Sequence, residues 1–219
     1  MAQNDIKKKF LIEYDKANVT SSYPSLTSEE IATILNKAYL AEIAQKVTGN
    51  NPRRAPFEAD TKAISDIQQL VITQTITQDG EDPTAANSKR YVLPTGFLYY
   101  VQGTVKLDNV NSPVDLISHE NAKQFKQSRS NRPWIKNAVG YIEDNKIVVL
   151  YDNYYQTTVG DFNLTYVKMP TLFTASFEGT FELNDSMAEE LISLAVTFAL
   201  ENVESTRLQT KAQMRGLEA

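Results

Sequence analysis

The chain has 219 residues, a formal net charge of −5 and no cysteine. This length suits one large domain without disulfide staples, and the lack of cysteine excludes a thiol nucleophile and a thiolate metal site. The acidic balance argues against a protein that coats nucleic acid by bulk electrostatics. Met1 is not followed by an apolar leader, and no stretch approaches the roughly 20 apolar residues of a membrane span. We therefore expect a soluble protein made in the cytoplasm, with no membrane partner.

The first third of the chain predicts three helices. Residues 4–20 have apolar side chains at a spacing of four. Thr27-Ser-Glu-Glu30 is a capping box that begins the second helix, and Gly49 is a plausible stop for it. Residues 60–69 predict a third helix that turns Ile64 and Ile67 towards the core.

From Leu70 onward the pattern changes to that of strands. Residues 71–77 are rich in β-branched side chains and predict the first strand. Residues 78–89, with Asp-Gly and Asp-Pro pairs, predict an exposed polar loop. Residues 91–94 and 97–107 return to sheet, with an edge or a bend where Pro94 and Gly96 occur.

Two further sheet signals follow a polar, basic stretch over 118–137. Residues 141–151 predict a hairpin whose turn is Asp144-Asn145. Residues 161–168 alternate between polar and apolar side chains and predict a last strand that stops before Pro170.

The closing segment predicts a long helix that begins after Asn184, which is a natural N-cap. Most of its circumference is apolar, so we expect neighbours to cover it on more than one side. The predicted polar strip is narrow and consists of Glu190, Ser193, Thr197, Glu201 and Glu204.

The order of these elements predicts an α+β fold, with N-terminal helices and a long C-terminal helix packed on a mainly antiparallel β-sheet. We expect a single domain over residues 1–219. Its parts are a helical segment (1–69), a β-rich segment (70–180) and a closing helix with a tail (181–219).

Few residues could carry catalysis. His119 is the one histidine, and no Gly-x-Ser-x-Gly elbow accompanies any serine. Only Glu120 lies beside His119 as a further metal ligand, and the isolated glycines form neither a P-loop nor a dinucleotide fingerprint. We therefore expect no enzyme, no metal and no cofactor, and a loop or capping role for His119.

Two basic features stand out in the acidic chain. The first, a suspected contact loop, has five cations interleaved with Phe125 and Trp134: Lys123, Lys126, Arg129, Arg132 and Lys136. Such a loop could stack on nucleic acid, although pairing with an acidic protein or plain solvation is commoner. The second is a suspected protein interface formed by Arg207, Lys211 and Arg215, which share one face of a helical extension. Cations near a helix C-terminus are also favourable without any partner.

Several segments carry a resemblance that covers nearly the whole chain. They are Leu-Thr-Ser-Glu-Glu-Ile (26–31), Leu-Asn-Lys-Ala-Tyr (35–39), Asn-Pro-Arg-Arg-Ala-Pro-Phe-Glu (51–58), Val-Leu-Pro-Thr-Gly-Phe-Leu-Tyr-Tyr (92–100), Leu-Thr-Tyr-Val-Lys-Met-Pro (164–170) and Phe-Glu-Leu-Asn-Asp-Ser-Met-Ala-Glu-Glu-Leu-Ile-Ser-Leu-Ala-Val (181–196). Together they resemble the head–tail connector proteins, also called neck or portal-ring proteins, of crAss-like tailed bacteriophages of Bacteroides.

The resemblance implies a structural virion protein that forms a homo-oligomeric ring of about twelve copies. Its implied partners are further copies of itself, the portal protein and neighbouring neck or tail proteins, while genomic DNA only passes through the channel. The implied location is the neck of the virion, after synthesis in the host cytoplasm.

Two other classes of function stay open beside this one. A monomeric carbohydrate- or surface-binding β-module would use the eleven tyrosines and Trp134 as a stacking platform, although core packing is the default for tyrosine. A hydrolase that uses a pair of carboxylates would leave no recognisable sequence motif. Size separates these hypotheses, since a ring elutes far above the mass of a monomer.

Overall fold

A computed structural model describes residues 1–17, 25–48, 61–80, 87–122, 125, 133–134, 136–151 and 158–202. The chain divides into two compact units. Met1–Leu70 and Pro170–Ala219 form a helical unit, and Val71–Met169 form a sheet unit. The predicted α+β class is confirmed. The predicted single domain over 1–219 stays a prediction.

The helical unit contains the four helices expected from the sequence, although Ile64, which was predicted to face the core, is exposed. They are α1 (Gln3–Ala17), α2 (Ser28–Thr48), α3 (Thr61–Ile67), which a 3₁₀ turn (Gln68–Leu70) extends, and α4 (Asp185–Asn202). The capping box of α2 is confirmed: the backbone N–H of Thr27 donates to Glu30 Oε2 at 2.7 Å, and the N–H of Glu30 donates to Thr27 Oγ1 at 3.3 Å. None of the described helices is long and apolar enough to cross a membrane. Gly49 lies outside the described residues.

Helix α4 is buried around most of its circumference, as its composition predicts, and both α1 and α2 pack against it. The predicted polar strip is wrong in part. Ser193 is buried, and Glu190 lies half-buried among lysines because α2 and α3 approach that side of the helix. Glu201 is exposed, as predicted, and Glu204 lies outside the described residues.

The segment that precedes α4 has no regular structure, and aromatic side chains anchor it in the helical unit. Phe173 and Phe181 both pack against Tyr39 of α2, with ring centroids 6.1 and 5.1 Å away. The Asn36 side chain donates to the carbonyl of Phe173 at 3.0 Å and accepts from its N–H at 2.8 Å. The side-chain amide of Asn36 thereby satisfies both backbone groups of Phe173, which has no neighbouring strand to bond them.

The sheet unit is one seven-stranded sheet with the order β1-β7-β3-β4-β5-β6-β2. Its strands are β1 (Val71–Ile76), β2 (Ser88–Val92), β3 (Phe97–Leu107), β4 (Val110–Leu116), β5 (Ala138–Glu143), β6 (Lys146–Leu150) and β7 (Val159–Lys168). Every named pair is antiparallel except β4 with β5. The sheet is therefore mainly antiparallel, as predicted.

The sheet curls until residues just after β1 meet β2. Gln78 bridges to Tyr91, and the N–H of Asp79 donates to the carbonyl of Arg90 at 2.7 Å. Curling encloses a core that includes fully buried Tyr91, Leu107 and Phe162. The other face of β5 and β6 carries a smaller cluster, against which Phe125 packs.

The structure corrects the predicted loop at 78–89 at both ends. Residues 78–80 pair with β2, and Ser88 and Lys89 belong to β2 itself, with Ser88 fully buried. Residues 81–86 lie outside the described part. Strand β4, which contains Pro113 and forms a hairpin with β3, was not predicted from the sequence. The predicted turn at Asp144-Asn145 is confirmed, with φ of 47° and 56°.

Candidate interaction surfaces

The suspected basic contact loop is described only in part. Lys123, Lys126, Arg129 and Arg132 lie outside the described residues. Lys136 is exposed, and its ammonium lies 5.8 Å from the centre of the Trp134 ring, which is 48% exposed. Backbone hydrogen bonds between Trp134 and Asn137, of 3.1 and 2.8 Å, close the turn that presents them. Trp134 and Lys136 therefore form a small exposed cation–aromatic pair.

The suspected interface of the tail lies wholly outside the described residues. Helix α4 ends at Asn202, and Arg207, Lys211 and Arg215 follow it in sequence. Their role as a protein interface stays a prediction.

His119 lies exposed in a 3₁₀ turn, His119–Asn121, after β4. Its ring meets the ring of Tyr141 edge-on at 5.0 Å. Within the described ranges, no group of three or more His, Asp or Glu side chains is placed to hold a metal ion. The loop position predicted for His119 is confirmed.

Most described tyrosines pack in the interior. Five are buried, namely Tyr14, Tyr39, Tyr91, Tyr141 and Tyr166. Tyr100 is half-buried and donates its hydroxyl to the carbonyl of Val114 at 2.6 Å. Burial raises the pKa of Tyr39, Tyr91 and Tyr100, since a phenolate would lose its hydration there. These six side chains give a sugar-binding platform no support.

The densest group of charges lies in the helical unit. The ammonium of Lys46 on α2 contacts Asp66 Oδ2 at 2.9 Å and Glu190 Oε2 at 2.7 Å. Lys62 reaches the other oxygen of Glu190 at 2.6 Å. The side-chain amide of Asn184 donates to the second oxygen of Asp66 at 3.1 Å. We call these five residues the ion cluster, and it ties α2, α3 and the start of α4 together.

The pKa shifts in the ion cluster show what it can do chemically. Burial of Lys46 opposes its charge, but hydrogen bonds to Glu190 and Asp66 outweigh burial and raise its pKa above 10.5. Burial of Glu190 likewise opposes charge, but hydrogen bonds from Lys46 and Lys62 lower its pKa below 4.5. A general acid or base works best with a pKa near the operating pH. Both pKa shifts point away from neutrality, so the arrangement favours fixed charges.

The outer face of β1, β7 and β3 is polar, with exposed Asp161 and Lys106 beside uncharged side chains. Thr73 and Thr165 share a hydrogen bond of 2.9 Å, and Thr75 donates to Asn163 Oδ1 at 2.7 Å. Gln102 of β3 lies opposite Thr165 and continues the row. The middle of this face therefore offers uncharged hydrogen-bonding groups.

Strand β1 comes first in the strand order of the sheet, and the residues that follow it, 78–80, close the sheet onto β2. Among the described residues β1 pairs only with β7, and Thr73, Gln74 and Thr75 are all exposed. Gln74 lies opposite Leu164, so its side chain is on the inner face of the sheet. Gln74 is nevertheless exposed, whereas Leu164 on the neighbouring strand is fully buried. The strand carries no charge, proline or bulge of the kind that protects edges.

Charge is divided unequally between the two units. Counted over the whole chain, the helical unit has 12 Lys and Arg against 17 Asp and Glu, whereas the sheet unit has 10 of each. The formal charge of −5 therefore belongs to the helical unit. Asp5, Glu29, Asp185 and Glu189 are among its exposed carboxylates.

Sequence reasoning missed both the ion cluster and the place of β1 in the sheet. The members of the cluster are up to 144 positions apart, so no local pattern shows them. The sequence of β1 predicts a strand, but the position of that strand in the sheet follows from the strand order alone.

No protein-family model matches the chain, and no curated protein sequence matches it.

Proposed function

We propose that the protein is a structural component of the head–tail connector of a tailed-phage virion, acting by binding copies of itself and neighbouring connector proteins. The sequence resemblance over residues 26–39, 51–58, 92–100, 164–170 and 181–196 suggests this function. The observation that carries it in three dimensions is the division of charge between an acidic helical unit and a neutral sheet unit.

The physical reason concerns the DNA that passes through a connector. A channel wall has to contact the duplex without holding it, and carboxylates repel backbone phosphates. The helical unit, with its excess of Asp and Glu, suits that wall. The sheet unit, whose cations and carboxylates are equal in number, suits contacts with other proteins, because a surface without net charge is not repelled by a copy of itself.

The test is to locate the protein in particles of the parent phage. Purified virions should contain the chain, and cryo-electron microscopy should show it as a ring at the neck, between portal and tail. Virions that lack the chain, or that carry it only as isolated monomers on the capsid surface, would contradict the proposal and favour the surface-binding β-module.

A second measurement addresses the DNA path itself. The free protein should not retard duplex DNA in a gel at about 50 mM salt, where phosphate contacts are strongest. Retardation that disappears when Trp134 and Lys136 are both replaced by alanine would instead support a nucleic-acid role for the exposed cation–aromatic pair.

A further inference from the structure

We propose that the contact between residues 78–80 and β2 is a seam that opens while the rest of the sheet stays folded, and that an ion pair between Asp79 and Lys146 holds it shut. The seam lies where the sheet curls back on itself, because β1 comes first and β2 last in the strand order. This inference does not depend on the proposed virion function.

The first step is that few bonds hold the seam. In the described part it consists of the bridge between Gln78 and Tyr91 and two backbone hydrogen bonds. The N–H of Asp79 donates to the carbonyl of Arg90 at 2.7 Å, and the N–H of Arg90 donates to the carbonyl of Gly80 at 2.9 Å. The ladder between β1 and β7, by comparison, includes all six residues of β1. Local opening costs less free energy where fewer contacts break, so the seam should open first.

The second step is that β2 stays anchored when the seam parts. All five residues of β2 remain paired with β6. Just beyond β2, the N–H of Leu93 donates to the carbonyl of Asn145 at 3.0 Å. Residues 77–80 are exposed, so water can replace the hydrogen bonds of the seam as they break. The seam can therefore part while the ladder between β2 and β6 stays intact.

The third step identifies what holds the seam shut. The ammonium of Lys146, the first residue of β6, lies 2.8 Å from Asp79 Oδ2, so the ion pair reaches across β2. The hydrogen bond from Lys146 lowers the pKa of Asp79, and the charge of Arg90 acts in the same direction. The side chains of Lys146 and Asp79 are 29% and 47% exposed, so salt should screen their attraction.

Opening of the seam changes the edge of β2. It frees the N–H and C=O groups of Arg90, which bond to Gly80 and Asp79 in the closed form. Unpaired backbone groups of this kind are what an edge strand offers to another strand. The seam thus acts as a salt-sensitive closure over an edge that is covered in the structure.

The first test is amide hydrogen exchange measured by NMR. The N–H of Arg90 crosses the seam, whereas the N–H of Leu93 bonds to the turn between β5 and β6, so the two amides report different openings. After correction for intrinsic rates, the amide of Arg90 should exchange about tenfold faster than that of Leu93, or more. Equal protection of the two amides would show that the seam opens only together with the whole sheet, which overturns the proposal.

The Asp79→Asn variant tests the ion pair. At low salt it should speed the exchange of the Arg90 amide about threefold, the scale expected for a partly exposed pair, and leave Leu93 unchanged. Asp115→Asn is the matched control, because Asp115 is also exposed but lies on β4, in the middle of the strand order. An equal effect of the two substitutions on Arg90 overturns the role of the ion pair.

A salt series on the wild type keeps the test valid if the substitution impairs folding. Raising salt to about 0.5 M should speed the exchange of the Arg90 amide as Asp79→Asn does, and should add little in that variant. Exchange of Arg90 that stays constant over the salt series in the wild type overturns the proposed closure.

Discussion

At the scale of single residues, Lys46 has the most consequential environment in the helical unit. Its side chain is 12% exposed and lies between Asp66, which is 4% exposed, and Glu190, which is 21% exposed. Without the ammonium, two carboxylates would face each other in a largely desolvated place. A buried charge that loses its partner is strongly destabilising.

Lys46→Met should therefore lower the free energy of unfolding by about 3 kcal/mol, measured by urea denaturation. Lys8→Met is the control, because Lys8 is 65% exposed and its pair with Asp5 spans 3.9 Å. The control should cost less than about 0.5 kcal/mol. Equal effects of the two substitutions would show that the ion cluster is effectively solvated.

The pH dependence of stability follows from Glu190. Its folded-state pKa lies below 4.5, mainly because hydrogen bonds from Lys46 and Lys62 overcome burial. As pH falls, the unfolded carboxyl binds a proton first, so this stabilisation is complete above about 4.5 and is lost through the folded-state pKa. The stability difference between wild type and Glu190→Gln should shrink from pH 6 to pH 3. A difference that stays constant over that range would contradict the prediction.

At the scale of elements, the start of α4 combines a cap with a tertiary contact. Asn184 Oδ1 accepts from the N–H of Met187 at 2.7 Å, while Nδ2 donates to Asp66. A single side chain thus caps a helix and completes the ion cluster.

Two substitutions separate these roles. Asn184→Ser keeps an oxygen for the cap and loses the bond to Asp66, whereas Asn184→Ala loses both. Alanine should destabilise by about 1 kcal/mol more than serine, the usual contribution of a cap. Helix content and denaturation midpoints measure the difference. If serine and alanine were equivalent, the cap would contribute nothing.

Gly103 shows how close packing constrains the sheet. It lies buried on the inner face of β3, where a Cβ atom would overlap the ring of Phe162. Gly103→Ala should destabilise by about 1–3 kcal/mol through overpacking. At Gly160, by contrast, a Cβ would approach Lys106 Cβ at 3.3 Å, so Gly160→Ala should cost less. Thermal denaturation of the two variants measures both losses of stability. A larger loss for Gly160→Ala than for Gly103→Ala would contradict the prediction.

At the scale of the whole molecule, the structure changes the case for assembly. The apolar circumference of α4 was consistent with self-association, but α1 and α2 pack against it within the same chain. Self-association therefore has to rest on other surfaces. The cationic residues of the tail, which lie outside the described residues, are the candidate that the sequence suggests.

Deletion of residues 209–219 should leave the melting temperature nearly unchanged and weaken assembly. The deleted segment has few apolar residues, while Lys211 and Arg215 belong to its cationic face. Exposed ion pairs are screened by salt, so high salt should mimic the deletion in sedimentation experiments. A drop of several degrees in the melting temperature of the monomer would place the tail in the core.

Local chemistry by itself determined the elements of this fold. The capping box at Thr27, the cap at Asn184 and the hairpin turn at Asp144-Asn145 act over a few neighbouring residues, and each was predicted correctly. The α+β class followed from the change of period at Leu70.

Only the tertiary structure decided which of these residues meet. The parallel pairing of β4 with β5, the closure of Gln78 onto Tyr91 and the burial of Ser193 depend on contacts between distant segments. The ion cluster and the place of β1 in the sheet arise in the same way. A sequence pattern records the preference of each segment, but pairing and burial depend on which distant segment offers it a complementary surface.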